Sequence, residues 1–149
     1  MKTKTVDILA VAERLRPVLL RLARELRREA QAETGVSPGQ IALLATIKYE
    51  PGISLGELAA RERMSAPAMT RYIDRLEKAG LVTRTPSSDD RRRVGLTLTE
   101  DGQRVLRRIR SRRTAWLAQR LGHLSADERA AVDAAIEPLD KLLGEEERP

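Results

Sequence analysis

Residues 64–80, MSAPAMTRYIDRLEKAG, constrain this chain more than any other stretch, because they read as a short helix with both ends marked. Ser65 is a good N-cap, since its hydroxyl can accept from the free N–H groups of a first turn. Pro67 falls within that turn, where a missing N–H costs little. Met69, Ile73 and Leu76 recur at helical spacing with Tyr72 beside them, and predict an inward face. Gly80 follows the last turn, where a left-handed cap favours glycine, and Leu81 can fold back on the helix. Another face carries Ala68, Arg71 and Arg75, with Ser65, Ala66, Pro67 and Thr70 near its leading end. Small side chains let a backbone approach a surface closely. That suits a helix whose first turns enter a major groove, about 12 Å wide. A plain amphipathic helix with a solvated basic face has the same pattern, so the flanking sequence must decide.

Upstream, Ser54-Leu55-Gly56-Glu57 is a capping box that opens a short helix to about residue 61, with Leu55, Leu58 and Ala59 inward. Two short helices, a tight turn and a basic second helix make a helix-turn-helix, although a plain helical hairpin shares that outline. Downstream the period changes. Residues 81–85 are strand-like, residues 86–90 are turn chemistry, and Val94, Leu96 and Leu98 alternate with Arg93, Gly95 and Thr97. A β-hairpin therefore follows, tipped by Asp89, Asp90, Arg91, Arg92 and Arg93, and the whole reads as a winged helix. Arginines on an exposed loop beside a recognition helix can reach phosphates and a narrow minor groove, whose negative potential attracts them. An aspartate there can orient a guanidinium. A solvated charged turn is the plainer alternative.

Helices flank this unit. Residues 6–32 read as a long helix with a stripe of Leu15, Leu19, Leu22 and Leu26. Pro17 predicts a kink or a boundary near Arg16. The apolar residues before it, Val6, Ile8, Leu9 and Val11, are candidates to cover a second subunit. Gly35 ends the helix, and Ser37-Pro38-Gly39-Gln40 caps the next, which buries Ile41, Leu44, Ala45 and Ile47 and stops before Pro51-Gly52. Thr99 caps a helix running to about residue 121, with Glu100 and Asp101 at its positive end. Within it, residues 104–113 hold six arginines and no acid, suited to phosphates or to acids elsewhere in the fold. Ser125-Ala126-Asp127-Glu128 caps a last helix with Val132, Ile136, Leu139, Leu142 and Leu143, and Pro138 is a second expected kink.

Composition narrows the function classes. The 149 residues carry 28 Lys and Arg against 22 Asp and Glu, a net charge of +6, which fits an anionic partner such as nucleic acid. With no Phe and one Trp, the core must come from aliphatic side chains, which favours packed helices. Cysteine is absent, so disulfides, thiolate metal sites and thiol switches are excluded. A lone His123 argues against a zinc site. No cofactor is expected. No apolar run approaches the ~18 residues of a membrane span, so a cytoplasmic location without membrane contact is expected. An enzyme would need a positioned nucleophile, acid–base pair or metal, and no such pattern stands out.

Residues 54–84, SLGELAARERMSAPAMTRYIDRLEKAGLVTR, and 89–102, DDRRRVGLTLTEDG, resemble the MarR family of bacterial winged-helix regulators. The second segment is the more specific, with its Asp-x-Arg tip and Leu-Thr-Glu-x-Gly entry to a long helix. The helical flanks extend the likeness over nearly the whole chain. The resemblance implies a mostly α fold with a small β-hairpin, a winged helix-turn-helix flanked by N- and C-terminal dimerisation helices. It places the winged helix and its linking helix at residues 37–121, and the dimerisation region at residues 1–36 and 122–149. It implies recognition by residues 65–79, with Arg91 as the minor-groove arginine, Asp89 as its partner and Arg92 at a commonly basic position. Arg93 departs from the family's small polar residue, and Gly95 is unusual in a strand and is expected to loosen the hairpin.

The expected function is sequence-specific binding of double-stranded DNA by a homodimer, as a repressor released by a small aromatic or anionic effector. The DNA-facing set is Ser54, Ser65, Ala66, Pro67, Ala68, Thr70, Arg71, Arg75, Asp89, Arg91, Arg92 and Arg93. Tyr49 and Trp116 are candidates to line an effector pocket, with core or surface roles as the alternative. The alternative is a non-specific winged-helix nucleic-acid-binding or protein-interaction module.

Overall fold

A computed structural model describes residues 6–86 and 94–144. Its elements are α1 (Ile8–Thr34), α2 (Pro38–Tyr49), β1 (Ile53–Ser54), α3 (Leu55–Arg61), α4 (Ala66–Lys78), β2 (Val82–Pro86), β3 (Val94–Leu98), α5 (Glu100–Gly122) and α6 (Ala126–Lys141). Each helix starts on a side-chain cap: Asp7, Ser37, Ser54, Ser65, Thr99 and Ser125. The capping boxes expected at Ser37, Ser54 and Ser125 all form, with Gln40, Glu57 and Glu128 reaching back to the cap N–H. Gly35 and Gly80 take φ of 66° and 74° and end α1 and α4 as left-handed caps.

The core lies where α2, α3 and α4 meet the sheet. Leu44, Ile47, Leu58, Met69, Ile73, Leu76, Val82 and Leu96 are its largest fully buried side chains. Leu43, which the helical pattern left outside, is buried as well, while Ala45 is only half-buried. A smaller cluster of Ala30, Ile41 and Ile109 joins α1 and α5 to this lobe.

The sheet differs from a simple hairpin. Three antiparallel strands run in the order β1-β3-β2, and β1 pairs Ile53 with Leu96 and Ser54 with Gly95. A two-residue strand carries no periodicity of its own, so it is invisible until β3 is beside it. Gly95 is buried there, because a Cβ on it would stand 2.7 Å from the Gly52 carbonyl oxygen. The glycine therefore tightens the base of the hairpin, contrary to the expectation of a loosened strand. Val94, expected inward, is 50% exposed.

Gly102 has a similar part. A Cβ on it would clash with the Leu81 carbonyl oxygen. The space is closed because Thr99 ties the two chain segments together. Its N–H donates to Leu81 O at 3.1 Å and its hydroxyl to Gly80 O at 2.6 Å. The start of α5 is thus clamped to the end of α4.

Pro17 does not divide α1, which is a single helix through it. One missing N–H removes one rung, and the surrounding turns carry the helix across. The leucine stripe is only partly covered: Leu15 and Leu26 are half-buried, while Leu19 and Leu22 remain exposed. Pro138 likewise sits inside α6, which buries no residue.

Candidate nucleic-acid interface

The helix-turn-helix is α3, a four-residue connection and α4. Met69, Ile73 and Leu76 anchor α4 in the core, as their spacing predicts. At its end the Leu81 N–H donates to Leu76 O and the Gly80 N–H to Glu77 O, both at 2.9 Å, so Leu81 folds back as expected. With one face fixed inward, the other is fixed outward. Ser65, Ala66, Pro67, Arg71 and Arg75 are exposed, and Ala68 and Thr70 are half-exposed.

Two hydroxyls at this end are already engaged with the backbone. Ser65 Oγ accepts from the Ala68 N–H at 3.3 Å, and the Thr70 hydroxyl donates to Ala66 O at 2.9 Å. Ser54 Oγ accepts from the Glu57 N–H at 3.1 Å in the same way. Each of these oxygens keeps a spare lone pair, which can accept from a water or a base-edge donor.

The charge pattern is sharper than the sequence suggested. Asp74 and Glu77 of α4 would dilute a basic face. Arg84 on β2 engages both, at 2.7 Å and 3.6 Å. Glu50 is paired by Arg61. Arg71 and Arg75 have no acid partner among the described residues. Sequence reasoning misses Arg84, since it pairs with residues ten and seven positions earlier and across elements. The predicted wing-tip residues Asp89, Arg91, Arg92 and Arg93 lie outside the described residues.

The arginine run of α5 divides by what lies opposite. Arg108 pairs with Glu33 at 3.0 Å and Arg112 with Glu29 at 3.1 Å, both across to α1. Arg104 pairs with Asp101 at 2.6 Å within α5. Arg113 donates to Leu26 O at 3.3 Å, and burial followed by the nearby Arg27 holds its guanidinium pKa below the ordinary value. For these four arginines the structure favours contacts inside the fold over phosphate.

Tyr49 and Trp116 do not share a pocket. Tyr49 edges a cleft of about 260 Å³ between α1, α2 and α5, floored by Leu26, Ile41, Leu106 and Ile109 and rimmed by Lys48, Arg110 and Arg113. Trp116 belongs to a separate depression with Glu29 and Arg112, where the Arg120 guanidinium stacks 5.2 Å from its ring centre. Among the described residues, no group of three or more His, Asp or Glu side chains is placed to hold a metal.

Known proteins share this arrangement. The MarR family model matches residues 36–94. An HTH-type transcriptional regulator of Mycobacterium bovis is 35% identical over 135 residues, which is 91% of this chain and 94% of the relative. The chain belongs to the MarR family. The HTH-type transcriptional repressor MdtR of Bacillus subtilis is 29% identical over 123 residues, 83% of this chain and 74% of MdtR. A solved transcriptional regulator from Pseudomonas aeruginosa is 32% identical with a TM-score of 0.78, covering 94% of this chain and 98% of that one. As a MarR-family protein the chain is a transcriptional regulator with a DNA-binding helix-turn-helix, and not an enzyme. No helix among the described residues is long and apolar enough to cross a membrane.

Proposed function

We propose that this chain is a cytoplasmic repressor that binds an inverted-repeat operator as a homodimer and releases it when a small anionic, aromatic effector binds. One observation carries the DNA reading. The exposed face of α4 combines small residues with Arg71 and Arg75, while Arg84 holds the helix's acids aside. Residues 65–70 bring the backbone close to a base edge, and the arginines supply reach. The wing residues Arg91, Arg92 and Arg93, with Asp89 orienting Arg91, add minor-groove and phosphate grip.

The dimer reading rests on apolar faces that one chain leaves open. Ile8 and Leu9 are 82% and 69% exposed, and Ile136 and Leu142 are 60% and 71% exposed. Residues 1–36 and 122–149 would form the interface, with residues 37–121 as the lobe. Two-fold symmetry then sets two recognition helices about 34 Å apart on one side of the duplex. The repressor reading follows the name of MdtR. The effector reading rests on the cleft beside Tyr49, which has an apolar floor, three cations at its rim and no carboxylate in its lining.

The test is a footprint followed by titration. A protected inverted repeat, with a log–log salt slope near −7 if about eight phosphates are neutralised per dimer, is the expected result. Arg91→Ala should weaken binding to many sequences. Changes at Ala68 or Arg71 should alter base preference, by about 1–3 kcal/mol for each bidentate pairing with a base that is removed. Protection without a preferred sequence would overturn the operator reading, and phenolic carboxylates that leave the complex intact would overturn the effector reading.

A further inference from the structure

The turn between α3 and α4 holds a residue in an uncommon conformation. Arg63 has φ 52°, and no other non-glycine among the described residues has positive φ. The turn is a left-handed cap on α3: the Arg63 N–H donates to Ala60 O at 3.2 Å and the Met64 N–H to Ala59 O at 2.9 Å. At the matching place α1 and α4 use Gly35 and Gly80. Glycine enters this region without steric cost, whereas a long side chain seldom does. Nothing in the local packing asks for arginine. The side chain is exposed and has no carboxylate partner among the described residues.

The surroundings give the residue a direction. Met64 packs against the core, so its neighbours Arg63 and Ser65 flank it on the solvent side. Ser65 opens the end of α4 that faces DNA. The nearby arginines fall into two sets. Arg61 and Arg84 are neutralised by Glu50, Asp74 and Glu77, while Arg63 joins Arg71 and Arg75 without an acid. We propose that Arg63 is a phosphate-gripping residue of the DNA interface, holding the duplex backbone beside the point where α4 enters the groove. A guanidinium suits that task, because it can meet two phosphate oxygens at once. The inference rests on the reading that the leading end of α4 meets DNA.

The two possible roles of Arg63 predict opposite movements. Arg63→Gly relieves the backbone, so a purely structural residue would yield a protein that is at least as stable and binds as before. A phosphate contact yields equal or higher Tm together with weaker binding. The experiment compares wild type, Arg63→Gly, Arg63→Lys and Arg71→Ala as full chains, by anisotropy on a labelled mixed-sequence duplex about three helical turns long, at several salt concentrations. Arg63→Gly should weaken binding about fivefold or more and make the log–log salt slope shallower by about 2, for two phosphates per dimer. Arg63→Lys should keep the slope, since the charge remains. Unchanged affinity and slope in Arg63→Gly, with Arg71→Ala impaired, would overturn the inference and leave α4 as the reading element. A fall in Tm that accounts for the weaker binding would overturn it too. Wild type that does not bind the duplex at low salt would remove both the inference and the reading beneath it.

Discussion

The winged lobe and the terminal helices are built from the same aliphatic residues and solve burial differently. In the lobe, short helices converge on one core, and Leu44, Ile47, Leu58 and Ile73 are wholly buried. In α6 no side chain is buried, and the first half of α1 leaves Ile8, Leu9 and Val11 open. The lobe is closed within one chain. The second half of α1 packs on α5, but α6 and the first half of α1 have their caps and periodicity while their apolar side chains stay uncovered in the single chain. Local signals decide whether a helix forms, and tertiary burial decides whether it is held.

The largest test of that contrast is inside the lobe. Leu58→Ala should cost about 3–5 kcal/mol, because the site is fully enclosed and cannot collapse easily. Urea unfolding at fixed protein concentration measures it. A loss below about 1 kcal/mol would mean that the lobe is no better packed than the ends.

Gly102→Ala comes next, at about 2–3 kcal/mol. Its new Cβ would meet a backbone oxygen held in place by the bond to the Thr99 N–H, and not a flexible side chain. Gly122→Ala, with nothing within 4 Å of the added carbon, is the matched control on the same helix. Equal midpoints for the two variants would show that the α4–α5 clamp is looser than its hydrogen bonds imply.

How much of the molecule is legible in its sequence depends on the range of the interaction. The caps at Ser37, Ser54, Ser65, Thr99 and Ser125 are local, and four or five residues suffice to read each. The same holds for the inward set Met69, Ile73 and Leu76. What is not legible needs a distant partner. The strand at Ile53 and Ser54 exists because β3 lies beside it. Gly95 and Gly102 look like permissive residues, and only the backbone of Gly52 and the carbonyl of Leu81 reveal them as close contacts. The arginines of α5 are indistinguishable in sequence, and Glu29 and Glu33 on α1 separate them. Of the candidate site, the α4 face is readable by periodicity. The role of Arg84 in occupying Asp74 and Glu77, and the separation of Tyr49 from Trp116, are not.

A third prediction moves to the terminal helices. Ile136→Glu should leave the unfolding of the lobe nearly unchanged, since this residue is 60% exposed in the single chain. It should weaken self-association by about 2 kcal/mol, or roughly 30-fold, if the isoleucine is buried in a dimer. Sedimentation at graded concentrations reads the second effect and thermal unfolding the first. Wild type that stays monomeric at all concentrations would dissolve the contrast between the two regions.

The smallest effect lies in two capping boxes with the same geometry and different chemistry. On α2 the reaching residue is Gln40, which does not titrate. On α6 it is Glu128, whose carboxylate accepts from the Ser125 N–H at 2.8 Å. Hydrogen bonds from the Ser125 backbone, then from its side chain, hold the Glu128 pKa below the ordinary glutamate value of 4.5. A carboxylate with a depressed pKa stabilises the folded state above its unfolded value, and that contribution disappears as pH falls through the folded one. The start of α6 should therefore loosen below about pH 4.5, while the start of α2 holds until the lobe itself unfolds. Amide exchange followed residue by residue during an acid titration would show the Ser125 N–H losing protection before the Ser37 N–H. Glu128→Gln should abolish that early step. Simultaneous loss at both caps in wild type would mean that packing against the rest of the molecule, and not the box, holds the first turn of α6.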